Sequence, residues 1–200
     1  MTLTIETLAA EPRWELAKVQ ALPGRSRGDL LGSWGSNVMK RFGSTGLQRV
    51  LRRLPSPLDA LPATLGAKDW VPVYAQLLVT EAIVDEYLGG DMRALYPLLV
   101  EDTRAGIGSV QLVVLKAMGP VRALKLAPRT FRHVHEQGSV DAEVGGRSAR
   151  MTFSGSPLFT HPTWRLLQLF ATHTMLELTG RRGSSSGETM TNGFVANTNW

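Results

Sequence analysis

The 200-residue chain contains no cysteine. Disulfides, thiol nucleophiles, iron–sulfur clusters and cysteine-ligated zinc are thereby excluded, and the composition suits a reducing compartment. Histidine is scarce as well: there are four, and none precedes His133. The N-terminus, MTLTIETLAAEPRWELAKV, has no basic head followed by an apolar run, so no secretory signal is read there. The most apolar stretch, Val110–Leu115, is far too short to cross a bilayer. A cytoplasmic protein without a membrane span is expected. Catalytic patterns are missing too. Gly43-Ser44-Thr45-Gly46 lacks the Lys-Ser/Thr that completes a phosphate loop, and neither Gly106–Ser109 nor Gly183–Gly187 has the G-x-S-x-G spacing of a nucleophile elbow. The adjacent carboxylates Asp85-Glu86 and Glu101-Asp102 point to different helix faces. No catalytic residue is assigned, and a non-enzyme is the expectation.

What is present describes an ordinary folded chain, 43% apolar and 20% charged, large enough for one domain with a sizeable core. The net charge is +5 and the isoelectric point near 10.0. Basic residues gather at Lys40-Arg41, Arg49, Arg52 and Arg53, then at Arg122–Lys125, Arg129–Arg132 and Arg181-Arg182. None of these runs is interleaved with the aromatics that stack on bases. Solvated surface is therefore preferred over nucleic-acid binding, with Arg49, Arg52 and Arg53 kept as the candidate contact for nucleic acid or an acidic partner.

Periodicity divides the chain. Residues 1–28 read as a weakly specified lead-in, with a short helix over Glu15–Leu22. Residues 29–200 read as one α+β domain, helical to about 127 and sheet-containing from about 128. Asp29 precedes Leu30, Leu31, Trp34, Val38 and Met39 at helical spacing. Thr45 caps a helix through Leu47, Val50, Leu51 and Leu54 that Pro55 ends. After a connector over Pro55–Gly66, Asp69 caps a helix carrying Trp70, Val73, Tyr74, Leu77, Leu78, Val84 and Leu88, stopped by Gly89-Gly90. Asp91 caps the next segment, which Pro97 bends or divides. Gly108–Met118 is apolar on nearly every side and is expected to be a central helix covered all round. Gly119-Pro120 breaks it.

From Pro128 the period changes. Thr130–His135 alternates as a strand, and Ser139–Ser154 reads as a hairpin about Gly145-Gly146. That turn sets Val144 against Arg147, Ala142 against Ala149 and Val140 against Met151, with Asp141 opposite Arg150 on the polar face. Thr163–Leu178 returns to helix, with Trp164, Leu167, Phe170, Ala171, Met175 and Leu178 on its apolar face. Phe194–Trp200 closes as a strand. The order is helices first, then a small antiparallel sheet with one inserted helix: α+β.

Several strings carry a resemblance: WVPV at Trp70–Val73, GGDMRALYPLL ahead of DTRAGIG, MGPVRALKLAPRTFR, ELTG at Glu177–Gly180 and the closing VANTNW. From about Asp29 to Trp200 the chain resembles a myxobacterial paralogous family of uncharacterised proteins. That family is similar in layout to the haem–nitric-oxide-binding (H-NOX) and vinyl-4-reductase-type sensory domains. The resemblance implies bacterial signalling, through ligand sensing or protein interaction. H-NOX domains hold haem by a histidine on a helix ahead of the sheet, and grip its propionates with a tyrosine–serine–arginine motif. This chain has no histidine before His133. Its Ser148-Ala149-Arg150 keeps two members of the motif, with Gly146 where tyrosine would stand. H-NOX-type haem is not expected.

Three functional readings follow. The leading one is a non-enzymatic sensory or protein-interaction domain that binds a small apolar ligand between helices and sheet, in a pocket of Trp70, Tyr74, Leu77, Leu112, Leu115 and Met118; a homodimer would suit the class. The second is a metal protein or metal-dependent enzyme. His133 and His135, two apart on a strand, would share a face with the carboxylates Asp141 and Glu143 next door. The third is a nucleic-acid module using the Arg49–Arg53 cluster.

Overall fold

The computed structural model describes residues 2–60, 65 and 68–200, with backbone only for Asp29, Leu30 and Gly32. The connector read over Pro55–Gly66 lies partly outside the described residues, as do the side chains of Asp29 and Leu30.

In chain order the elements are β1 (Thr2–Leu3), α1 (Ile5–Ala9), α2 (Leu16–Gln20), β2 (Arg25–Arg27), α3 (Gly28–Leu51), β3 (Trp70–Pro72), α4 (Tyr74–Tyr87), α5 (Leu95–Gly106), α6 (Ser109–Leu124), α7 (Ala127–Val134), β4 (Ser139–Gly145), β5 (Ser148–Ser154), α8 (Pro162–Leu178), β6 (Ser184–Met190) and β7 (Gly193–Asn199). Five strands form one antiparallel sheet in the order β1-β6-β7-β5-β4, and β2 with β3 makes a separate ribbon. The architecture is α+β, as the periodicity implies. The first 28 residues join it closely. β1 pairs with β6, and Leu3, Leu8, Val19 and Leu22 are buried in the main core.

That core lies between the sheet and α8, where Trp164, Leu166, Leu169 and Phe170 meet Phe153, Phe159 and Phe194. The rings pack edge to face: Phe153 and Trp164 have centroids 4.9 Å apart at 84°. Such contacts add to the area they bury. A second core joins α3 to α4 through Leu31, Val38, Leu47, Val50, Val79 and Ile83. The two helical runs read before Pro55 form one element broken at Gly43, whose φ of 72° leaves the helical region.

Several expectations are corrected. Trp70–Pro72 is a strand, paired with Arg25–Arg27, and the helix begins at Tyr74. Proline disfavours helix at the preceding residue, so Val71 goes extended. Pro97 neither bends nor divides its helix; it sits in the first turn of α5, where its missing N–H costs nothing. Thr130–His135 is not a strand. Residues 130–134 belong to α7, with Pro128 in the first turn and Phe131 buried, and His135 is the extended residue that follows, bridged to Ser26. Over six residues alternation cannot be told from helical period, and Ala127, Phe131 and Val134 supply the helical stripe.

The hairpin exists, but its register differs by two residues: Val144 pairs with Ala149, Ala142 with Met151, Val140 with Phe153 and Glu143 with Arg150. A two-residue shift keeps every side chain on its own face, because strands have period two. The loop is Gly146-Arg147, and only Gly146 takes positive φ, at 58°. This suits a turn that needs a left-handed residue at its first central position alone.

The helix covered on nearly all sides is α8, twelve of whose residues are buried. It is not α6. On α6, Val110 is 72% exposed, Val113 66% and Val114 53%, while Leu112, Leu115 and Met118 turn partly inward. Near-uniform apolarity hides which face is inward, and here the valine stripe points out.

Candidate functional site

A cleft of about 490 Å³ opens between α3, α4, α5 and α8. Its α8 wall is Leu167, Ala171, Met175 and Leu178, which recur at i, i+4, i+8 and i+11 and so share one face. Trp34 of α3 and Leu99 of α5 face them, and Gln76, Asn37 and Gln168 supply polar groups. The size and the mostly apolar lining with a few amides match small-molecule sites. At the rim, Arg41 donates to Asp102 at 2.7 Å and to Glu101 at 2.9 Å. Thr103 turns its hydroxyl onto the Leu99 carbonyl at 2.6 Å. Arg41, Asp102 and Thr103 are thus satisfied within the protein, whereas the Thr174 hydroxyl in the cleft lining is buried without a hydrogen-bond partner.

The expected pocket residues are distributed differently. Leu77 is fully buried in the main core, Tyr74 packs against both cores, and Trp70 is 38% exposed with the Arg27 guanidinium 5.3 Å from its ring centre. Leu112 and Leu115 are half-buried on α6, and Met118 lines a different, arginine-rich cleft. The six residues therefore do not line one cleft, and the cleft between helices is the one that α3 and α8 border. Its α8 wall was legible as the apolar face of Thr163–Leu178, though as packing and not as a cleft.

The metal set is not brought together. His133 is exposed on α7, with Nε2 3.3 Å from an Arg27 nitrogen. His135 stacks on Phe131 at 4.2 Å between centroids, while Asp141 and Glu143 lie exposed on β4. Among the described residues no group of three or more histidines and carboxylates could hold a metal. The cause is that α7 ends between them: His133 lies in its last turn, whereas His135 is the extended residue after it and bridges to Ser26, so the two do not share a strand face. In the arginine cluster, Arg53 donates to Glu86 at 2.7 Å and Arg49 lies 3.9 Å from the same carboxylate. Two of its three members thus pin α3 to α4, and Arg52 alone is left to solvent.

Two histidines are strongly perturbed. Burial pushes both His135 and His161 down to about 4 from an ordinary 6.5, and for His161 the nearby Arg165 and Lys18 charges add to it. His161 is fully buried, 4.9 Å from the Trp14 ring, and neither ring nitrogen has a hydrogen-bond partner. Both rings serve as neutral packing groups.

With this geometry described, the chain can be set beside known proteins. No family model matches it, and no curated protein matches it by sequence. Its fold is H-NOX-like. It is similar to the Fe(II) unliganded H-NOX protein from K. algicida, in an alanine-to-glycine mutant form, with a TM-score of 0.62 at 10% identity over 86% of this chain and 95% of that one. It is also similar to an oxygen-binding H-NOX domain related to soluble guanylate cyclases, at TM-score 0.57 and 9% identity over 86% and 94%.

Haem is the group that this fold implies, and the residues present do not fit it in the H-NOX manner. No histidine lies on any helix from α1 to α6. Gly146 occupies the hairpin loop where tyrosine would stand. Arg150 is engaged on the exposed sheet face, 3.4 Å from Glu188 and 3.2 Å from Asn197. No described single helix is long and apolar enough to cross a membrane.

Proposed function

We propose that this chain is a non-enzymatic sensory domain that binds a small, largely apolar ligand between its helices without haem. The observation that carries the reading is the α3–α8 cleft on an H-NOX-like frame: an apolar α8 wall faced by Trp34 and Leu99, with Gln76, Asn37 and Gln168 to orient a polar end. α8 connects that cleft to the sheet, so ordering of its wall by a ligand is transmitted directly to β6 and β7. A signalling protein reading that surface and a homodimeric assembly in a bacterial cytoplasm belong to the same proposal.

The test uses Nile red, a neutral apolar dye, titrated into the full chain and into Ala171→Trp, which fills the cleft from its α8 wall. Saturable fluorescence enhancement in the wild type and at least about tenfold weaker binding in the variant are expected. Equal binding by both chains, with unchanged circular dichroism, overturns the reading. An absorption spectrum and elemental analysis of the purified protein separate it from the metal reading: a stoichiometric transition metal counts for the latter.

A further inference from the structure

We infer that a second cleft, at the C-terminal end of α8, binds a nucleoside polyphosphate, an anion chain carrying a planar aromatic ring. It is separate from the α3–α8 cleft and does not depend on that reading.

Two adjoining hollows of about 500 and 640 Å³ share Gly180, Arg181 and Arg182. The first adds Arg147 and Trp200, and the second adds Arg104 and His173. Four arginines from three parts of the chain therefore line two adjoining hollows, with Arg181 and Arg182 common to both. Local structure holds them there. α8 ends in a paired cap in which Gly180 donates to Glu177 at 2.9 Å and Arg181 to Leu176 at 2.8 Å, with Gly180 at φ 75°. Arg181 and Arg182 leave the helix directly after this cap. The Trp200 backbone donates to the Arg147 carbonyl at 2.9 Å, tying the aromatic to the hairpin turn.

Positive charge is in excess. Eight other arginines form ion pairs, and none of Arg104, Arg147, Arg181 and Arg182 does so among the described residues. Among the described residues Glu177 is the one carboxylate side chain that lines either hollow; it accepts a hydrogen bond from the Tyr96 hydroxyl at 2.6 Å, and the four arginines outnumber it. His173 adds a ring whose Nδ1 is buried without a hydrogen-bond partner. Guanidinium groups match phosphate oxygens in pairs, and the half-buried Trp200 indole, packed on one side against the main core, offers its uncovered part for stacking a base. Placed across the shared border, the phosphates meet Arg181 and Arg182 while the ring reaches Trp200. Arg104 and His173 flank the far end.

The experiment is isothermal titration of the full chain with ATP, with tripolyphosphate as the polyphosphate control and adenosine as the ring control. ATP is expected to bind more tightly than either control and more weakly as salt rises, with the affinity falling at least about tenfold in Arg181→Gln/Arg182→Gln. Arg147→Gln, which leaves the α8 cap untouched, is the second variant and is expected to weaken ATP binding as well, at an unchanged thermal midpoint. No heat at about 1 mM ATP overturns the inference. So does tripolyphosphate binding as tightly as ATP, or a folded Arg147→Gln chain with wild-type affinity. Nile red binding is unaffected by these variants, so the two sites are tested apart.

Discussion

The Thr163 hydroxyl donates to Glu81 across 2.5 Å, joining α4 to the first turn of α8. Glu81 is only 8% exposed, and desolvation raises its carboxyl above the ordinary 4.5, with the Thr163 bond opposing the shift. A raised carboxylate binds its proton more tightly in the folded state. Its stabilising contribution is therefore present at low pH and is lost as pH rises from 4.5 through the raised value. Gln at this position still accepts from Thr163 and carries no charge. Glu81→Gln is expected to stabilise the protein at pH 7 and raise its Tm. A lower Tm for the variant at pH 7 contradicts this account of Glu81.

The histidines act with the opposite sign. His135 and His161 titrate near 4 in the folded chain against 6.5 when free. The unfolded state thus binds more protons between these values, and stability falls as pH drops from 6.5 to 4. The full effect is on the order of 3 kcal/mol per ring. These two rings therefore contribute a loss of stability on acidification through that window. His161→Leu is expected to flatten the urea-midpoint profile between pH 6.5 and 4 by about half. Superimposable profiles for the two chains contradict it.

The hairpin separates its two glycines. Gly146 takes φ 58°, whereas Gly145 is an extended strand residue paired with Ser148, and a side chain there meets nothing within 4 Å. Gly146→Val is expected to cost about 1–3 kcal/mol, the penalty for a branched residue held in left-handed backbone. Gly145→Val should stay within about 0.5 kcal/mol of wild type. Equal losses for the two, measured by chemical denaturation, would return the turn to Gly145-Gly146.

What the sequence made legible follows from which forces are local. Turn chemistry and period are local, so the hairpin, the break at Gly119, the stop at Gly89-Gly90 and the helix over Thr163–Leu178 all appear where the residues place them. Register is not local. Gly145-Gly146 and Gly146-Arg147 serve equally as loops in isolation, and the pairing of β5 with β7, Phe153 against Phe194, belongs to the assembled sheet. The Arg181-Arg182 run was visible as charge. Its convergence with Arg147 and Arg104 was not, because the four lie up to 78 positions apart and meet only through the ends of α5, the hairpin and α8. His133 and His135 illustrate the converse: a pair two apart in sequence loses its shared face when a helix ends between its members.

The same limit produced the exchange of α6 for α8 as the covered helix, and a pair of truncations measures it. Leu169 on α8 is fully buried, so Leu169→Ala removes apolar contacts and leaves a cavity that close-packed neighbours refill only in part. A loss of about 2–5 kcal/mol is expected. Val113 on α6 is 66% exposed, and removing two of its methyl groups exposes little that was not already wet. Val113→Ala should change stability by no more than about 0.5 kcal/mol at low protein concentration. If Val113→Ala is nearly as costly as Leu169→Ala, and more so as concentration rises, the valine stripe is covered by a second copy of the chain in solution. A concentration-independent and near-zero effect instead leaves Val110, Val113 and Val114 facing water, with α8 as the helix around which the main core is built.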